Sequence, residues 1–315
     1  MSNLKLINMR DVEVEPICWL WYPFIPYGKV TIIQGDPGEG KTTLVLQIIA
    51  RLTKGESIID EDESLPINVI YQTAEDGLAD TIKPRLLAAN ADCSKVLVID
   101  DNDTPLTMRD ARLEQAIIET NAKLVVLDPI QGFLGADVDM HRANEIRPIM
   151  KHISELAEKY KCAIILIGHM NKCSVGKSAY RGLGSIDFQA AARSVLIVGR
   201  IKDEPEIRVV CQTKSSLAPE AKAVAFRLSE ENGFEWVGEY DVTADDLLSG
   251  TAKGTKKQAA MDFLESLLSG GQMSQTEIME LAERRNIAEK TLRNAKETLG
   301  VKSKRENNQW YWSLD

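Results

Sequence analysis

Cysteine, histidine and long apolar runs are all scarce in this chain. The five cysteines (Cys18, Cys93, Cys162, Cys173, Cys211) are an odd, scattered set with no CxxC pair. That pattern argues against a disulfide-stapled scaffold or a zinc ribbon and for a reducing compartment. Cys162 and Cys211 lie in apolar strand-like runs, where a thiol acts as a small hydrophobe. No run approaches the ~18 apolar residues of a membrane span. Residues 1–10 lack the basic-then-apolar order of a signal peptide, so a cytoplasmic protein without membrane association is expected. The absence of internal repeats and low-complexity tracts excludes solenoids and fibres. A net charge of −9 excludes a surface coated in basic residues. The charge is uneven, however. Residues 251–315 carry 11 Lys and Arg against 9 Asp and Glu, net +2, while the rest carries 27 against 38, net −11.

At 315 residues the chain fits one large domain and one small one. Short runs of Val, Ile and Leu recur at 30–34, 68–72, 96–100, 124–128, 163–168, 195–199 and 208–211. Each reads as a strand buried on both faces of a parallel sheet. Helical patterns at 42–52, 78–90, 107–120 and 144–160 separate the earlier ones, which predicts a doubly wound α/β core. After Gln212 the helices are expected to stop. Residues 224–228 and 234–240 flank Glu231-Asn232-Gly233, a hairpin signal. The core domain is therefore set at 1–248, with residues 1–23 as a short cover. A small polar linker occupies 249–256 and a second domain 257–315. In that domain come helices at 258–268, after a capping box at Ser274 and Glu277, and at 289–299, then two extended pieces at 301–304 and 309–313. Three helices and a hairpin predict a winged helix.

Gly35-Asp36-Pro37-Gly38-Glu39-Gly40-Lys41-Thr42 fits G-x-x-x-x-G-K-[ST] between a predicted strand and a predicted helix. Glycines let backbone N–H groups curl around phosphates, Lys41 reaches the β- and γ-phosphates, and the Thr42 hydroxyl binds Mg²⁺. Thr43 continues the site into the helix, whose N-terminal end is positive. Leu124–Asp128 is an apolar strand ending in a carboxylate placed to support the Mg²⁺. Asp100 and Asp101, after another apolar run, compete for that role.

Ligands of doubly wound sheets sit at the carboxyl ends of strands. Glu75, just past the run ending at Gln72, is there expected to orient or deprotonate a water at the γ-phosphate. His169, one of three histidines, ends the strand after Asp128 and is expected to sense the γ-phosphate. It would pass that signal to the Gly- and Ser-rich loop 173–185. His141 and His152 read as surface or packing residues.

These residues, with Ala74-Glu75-Asp76, Gly168–Lys172 and Tyr180–Ser185, resemble the RecA-like ATPases of plasmids, phages and other mobile elements, especially the hexameric plasmid-replication helicases. The likeness spans about residues 19–240. It implies ATP as the nucleotide, a homo-oligomeric ring (hexamer favoured), and a basic finger donated by the neighbouring subunit. Lys214 or Arg193 matches the finger by place, and Arg181 would face single-stranded DNA at the ring centre. Residues 1–23 are too short for the helical collar domain that precedes the ATPase core of bacterial replicative helicases, so no such domain is expected ahead of this core. Trp19, Trp21 and Tyr22 read as a packing cover or interface patch. In the winged helix, Lys290, Arg293 and Lys296 share a stripe of the recognition-helix candidate, and Lys302, Lys304 and Arg305 lie on the wing, all suited to DNA phosphates. Of Trp310 and Trp312, one is expected in the small core. The expected function is an ATP-driven, DNA-associated helicase-type motor. The alternative is a nucleotide-switched DNA-binding regulator or loader with slow hydrolysis; a filament-forming recombinase is weaker still.

Overall fold

Parallel strands buried on both faces need helices above and below them, and that demand organises most of the chain. The computed structural model describes residues 5–59, 64–170, 186–202, 204–249, 256–285, 287–306 and 309–314. Two short strands, β1 (Trp19–Trp21) and β2 (Ile25–Pro26), pair with each other ahead of β3 (Val30–Gly35) and α1 (Lys41–Lys54). Next come β4 (Val69–Thr73), α2 (Lys83–Ala88), β5 (Val96–Leu97), α3 (Ala111–Thr120), β6 (Leu124–Asp128), α4 (Ala143–Tyr160) and β7 (Ala163–His169). Helix α5 (Ile186–Ala191) leads to β8 (Ser194–Ile201), β9 (Glu204–Ser215), β10 (Ala223–Ser229), β11 (Gly233–Tyr240) and α6 (Ala244–Ser249).

Nine strands form one sheet in the order β11-β10-β9-β8-β3-β7-β6-β4-β5. From β8 to β5 the pairings are parallel; β9, β10 and β11 are antiparallel. Alternate residues of each parallel strand enter opposite cores. Leu124 and Val126 of β6 pack with Leu44, Ile48 and Leu86 from α1 and α2. Val125 and Leu127 pack with Leu113, Ile146 and Ile153 from α3 and α4 on the other face. The core is therefore doubly wound, as its residue pattern predicts.

Several boundaries move for physical reasons. The strand expected over 96–100 is only Val96–Leu97, because the Gln72 side chain takes over Ile99, accepting from its N–H at 2.7 Å and donating to its carbonyl at 3.2 Å. The helix expected over 78–90 opens with a wide turn, Ile82 N–H to Gly77 O at 3.0 Å, before α2. β9 runs for 12 residues. Helices do not stop after Gln212, since α6 follows β11; at six residues, α5 and α6 are each too short to show an apolar period. Trp21 packs on Phe24 and Trp236 with ring centroids 4.4 and 5.9 Å away, so the N-terminal aromatics include a packing cover. Cys162 and Cys211 are buried, and burial pushes their thiols up to about 11 and about 12.

The chain divides into two compact units, residues 1–200 with 206–249, and 201–205 with 250–315. In the second, α7 (Lys256–Leu268), β12 (Met273–Ser274), α8 (Gln275–Arg284) and α9 (Glu289–Thr298) precede β13 (Lys302–Glu306) and β14 (Gln309–Ser313). Strands β12, β14 and β13 make a three-stranded antiparallel sheet. Phe263, Leu264, Ile278, Leu292 and Trp312 form the core beneath it. Ser274 Oγ accepts from Glu277 N–H at 3.2 Å and caps α8. Among the described residues, no helix is long and apolar enough to cross a membrane.

The close seating of β3 against β8 gives a stability prediction. A Cβ on Gly35 would lie 2.2 Å from the Val198 carbonyl oxygen, a backbone atom held in the sheet. Gly35→Ala is expected to cost about 1–3 kcal/mol or more, read as a lower midpoint in urea unfolding. An unchanged midpoint would mean that β8 yields freely.

Candidate functional site

The carboxyl ends of β3, β7, β6 and β4 lie side by side, with Gly35 level with His169 and Thr73 level with Asp128. From these tips come the residues that the sequence singles out. The loop after β3 turns at Gly38 and Gly40, with φ of +80° and +89°, a region that glycine enters without steric cost. A Cβ at Gly38 would meet nothing within 4 Å, so its requirement is conformational; one at Gly40 would also lie 2.8 Å from Leu228 Cδ1. Asp36 and Pro37 are exposed, and Thr43 is half-buried at the start of α1.

Lys41 is buried, and its Nζ donates to Gly35 O at 2.9 Å and Asp36 O at 2.8 Å. Burial lowers its pKa, against the pull of Asp128, Asp36, Glu39 and Glu75. The ammonium is thus satisfied by the carbonyls of its own loop.

Thr42 Oγ1 donates to Asp128 Oδ2 at 2.7 Å, and the buried Tyr71 hydroxyl donates to the same oxygen at 3.0 Å. Burial raises the pKa of Asp128, while those two bonds pull it back down. Tyr71 itself is raised, by burial first and then by the Asp128 charge. A hydroxyl and a carboxylate held together offer the oxygen donors that Mg²⁺ takes, and a desolvated carboxylate gains from a nearby cation. The residues fit the ion. Tyr71 was not singled out from sequence, although a tyrosine inside a continuous apolar strand signals a buried partner for its hydroxyl. Asp100 is exposed and bonds its own loop, with Asn102 Nδ2 donating to it at 2.7 Å. It belongs to the far sheet edge beyond β5.

Glu75 is exposed, and its Oε2 lies 3.7 Å from His169 Nε2, an ion-pair distance rather than a hydrogen bond. His169 Nδ1 is buried and has no hydrogen-bond partner among the described residues. The turn carrying Glu75 is pinned by Ala74 N–H to Asp128 O at 2.9 Å and by Asp76 N–H to Thr73 Oγ1 at 3.0 Å.

The finger candidates are neighbours with different environments. Lys214 Nζ donates to Gln189 O at 2.8 Å and Ala190 O at 3.0 Å, carbonyls of the last turn of α5. Burial, and then the charge of Arg193, lower its pKa. Arg193 is exposed in the turn between α5 and β8. Arg181 and loop 173–185 lie outside the described residues. One contact was not foreseen: Arg200, on β8, reaches the phosphate loop, with Nε 3.1 Å from Glu39 Oε1.

In the C-terminal unit the candidate cations are largely engaged. Arg293 pairs with Glu289 at 2.5 Å and Lys304 with Glu306 at 2.8 Å. Lys296 bonds Ser303 and lies 4.4 Å from the Trp312 ring centroid, and burial lowers its pKa. Arg305 lies over Trp310 at 6.0 Å; Lys290 and Lys302 are exposed. Trp312 is buried and Trp310 is 47% exposed, so one of the pair does serve the small core. A groove of about 780 Å³ beside Trp310 includes Glu280, Glu283 and Glu289 in its lining, and no lysine or arginine among the described residues.

Comparison with known proteins places this geometry. The sequence profile of the AAA domain family matches residues 3–175. DNA repair protein RadA of Halalkalibacterium halodurans is 28% identical over 148 residues, covering 46% of this chain and 28% of that protein. Protein RecA of Agrobacterium fabrum is 24% identical over 255 residues, covering 76% of this chain and 67% of that protein. The chain thus spans little more than a quarter of the RadA relative. A KaiC-like protein from Pyrococcus horikoshii superposes with a TM-score of 0.50 at 18% identity, over 68% of this chain and 93% of that one, which shows the shared fold. The profile covers more than half of the chain and includes its phosphate loop: the chain belongs to the AAA domain family and carries its P-loop on the fold it shares with the KaiC-like protein.

Proposed function

We propose that the chain is a DNA-associated ATPase motor of the helicase type, working in the cytoplasm as a homo-oligomeric ring, hexamer favoured, and belonging to a plasmid, phage or integrative element. The observation that carries the reading is the convergence of Lys41, Thr42 with Asp128, and Glu75 with His169 at four adjacent strand ends. Gly35 to Gly40 cradle the phosphates, with Lys41 exchanging its loop carbonyls for β- and γ-phosphate oxygens. Thr42 and Asp128 hold the Mg²⁺ site; the ion, when bound, neutralises charge on the phosphates. Glu75 accepts a proton from the attacking water as its oxygen bonds to the γ-phosphorus and the β–γ bridging oxygen leaves with ADP. His169, beside Glu75, reports the γ-phosphate to loop 173–185, where Arg181 would meet single-stranded DNA.

The name of one relative, a DNA repair protein, supports association with DNA. The C-terminal unit reads as a winged helix, with Lys290, Arg293, Lys296, Lys302, Lys304 and Arg305 as its phosphate contacts. A second reading, the nucleotide-switched regulator or loader with slow turnover, is favoured by Lys214. That lysine must leave two carbonyls of α5 before it can act across a subunit boundary.

Steady-state ATP hydrolysis with and without single-stranded and duplex DNA separates the two. The motor requires marked stimulation by single strands, and Glu75→Gln is expected to lower kcat by about 10²–10⁴-fold. Slow turnover indifferent to nucleic acid would leave the regulator, and full turnover in the variant would remove Glu75 as base.

A second prediction follows from Asp128. Its raised pKa in the fold makes its contribution to stability greatest at low pH and lost as pH rises through that pKa. Asp128→Asn is therefore expected to raise the melting temperature of the nucleotide-free protein at pH 8 and to flatten its pH dependence. It should also erase the extra stabilisation that Mg²⁺ adds to ADP. A lower melting temperature, or a retained Mg²⁺ response, would show that Asp128 has another role.

A further inference from the structure

The phosphate loop carries a carboxylate of its own. Glu39 immediately precedes the Gly-Lys-Thr end of the motif, its side chain only 15% exposed, beside the cradle that must accept a polyanion. An uncompensated negative charge there opposes phosphate binding, and more strongly where water is partly excluded. The chain answers it from the neighbouring strand. Arg200 Nε donates to Glu39 Oε1 at 3.1 Å and Oε2 at 3.4 Å, and its Nη2 donates to Gly38 O at 3.4 Å. One guanidinium thus neutralises the loop's acid and holds the backbone of the glycine that turns the loop.

The surroundings make the contact directional. Arg200 comes from β8, on the opposite side of β3 from Asp128, so the loop is held from both flanks of its strand. A small cavity of about 170 Å³ beside it is lined by Asp36, Glu39, Arg200, Leu247 and Leu248 among others. Leu247 of α6 backs the strand at Gly199, where an added Cβ would meet its side chain at 3.1–3.2 Å. Arg208 on β9 is buried and adds positive potential to the same corner, with Glu39 and Arg200 both acting on its charge. A half-exposed ion pair contributes little to folding; its effect falls on whatever charge the loop must receive.

We propose that Arg200 is a positioning residue for ATP binding, screening Glu39 from the phosphates and fixing the carbonyl of Gly38. The proposal rests on the phosphate loop as the ATP site, but not on Glu75 as base or on DNA as partner. Its test is a sign-specific pair of variants in the full chain. Arg200→Ala is expected to raise KM for ATP, and the dissociation constant of Mg²⁺-ADP measured by calorimetry, about tenfold, because Glu39 is then left facing the phosphates. kcat at saturating ATP should change less than about threefold, since Arg200 touches no reacting atom. Adding Glu39→Gln to Arg200→Ala should restore nucleotide affinity to within about threefold, and Arg200→Lys should keep most of it. Circular dichroism and the melting temperature verify that each variant is folded. An unchanged KM in Arg200→Ala would overturn the proposal, as would a double variant no better than the single one, which would mark Arg200 as packing alone. A normal KM response with kcat untouched by Glu75→Gln would sink the catalytic assignment and leave this one standing.

Discussion

A single buried carboxylate sets the geometry on which the site depends. Asp128 ends β6 almost out of contact with water, and burying a charge costs several kcal/mol unless donors surround it. The donors come from elsewhere in the chain: Thr42 from the first turn of α1 and Tyr71 from β4. Satisfying one oxygen therefore ties the phosphate loop's helix to two neighbouring strands. The backbone of the same residue extends the constraint, since Asp128 O accepts from Ala74 N–H and places the turn that bears Glu75. Gly132 lies close beneath Ala74, where a Cβ would approach its methyl to 2.3 Å, so that turn is seated as well as bonded. The proposed metal support and the proposed catalytic base thus share one anchor.

The opposite flank of β3 has its own fastening. Gly35 lies against the Val198 carbonyl and Gly40 against Leu228, so the phosphate loop rests on β8 and β10. The antiparallel extension of the sheet is therefore part of the site's foundation rather than a closing edge. Phe226, which joins the core beside α1, stacks on Phe234, 5.0 Å between centroids, and tightens that platform.

What the sequence revealed, and what it hid, divides by distance along the chain. The phosphate loop, the strand ending at Asp128, the hairpin at Asn232-Gly233 and the Ser274 cap all declare themselves within a few consecutive residues. In each the structure keeps the local chemistry, with Gly233 at φ +69° in its turn. Tyr71 and Arg200 escaped because their partners stand 57 and 161 positions away, beyond any periodic pattern. The preference for Asp128 over Asp100 was readable in the sequence, and sheet order supports it by setting Asp128 beside the loop and Asp100 beyond the far edge. Helices α5 and α6 were missed for the opposite reason: each is too short to repeat an apolar face.

Charge counting in the C-terminal unit shows a further limit of composition. The net +2 of residues 251–315 suggests cations ready for phosphates, yet Arg293 and Lys304 pair with their own carboxylates and Lys296 packs on Trp312. Salt-dependent affinity for nucleic acid grows with the number of phosphates neutralised, and each engaged cation must first give up a partner. The glutamate-lined groove beside Trp310 adds no positive field. One copy of this unit would thus hold a duplex weakly. Binding that is weak per copy becomes useful when several copies act together, since linkage turns later contacts into intramolecular ones. On the proposed reading as a DNA-associated ring, the modest basicity of this unit calls for a nucleic-acid contact shared among subunits.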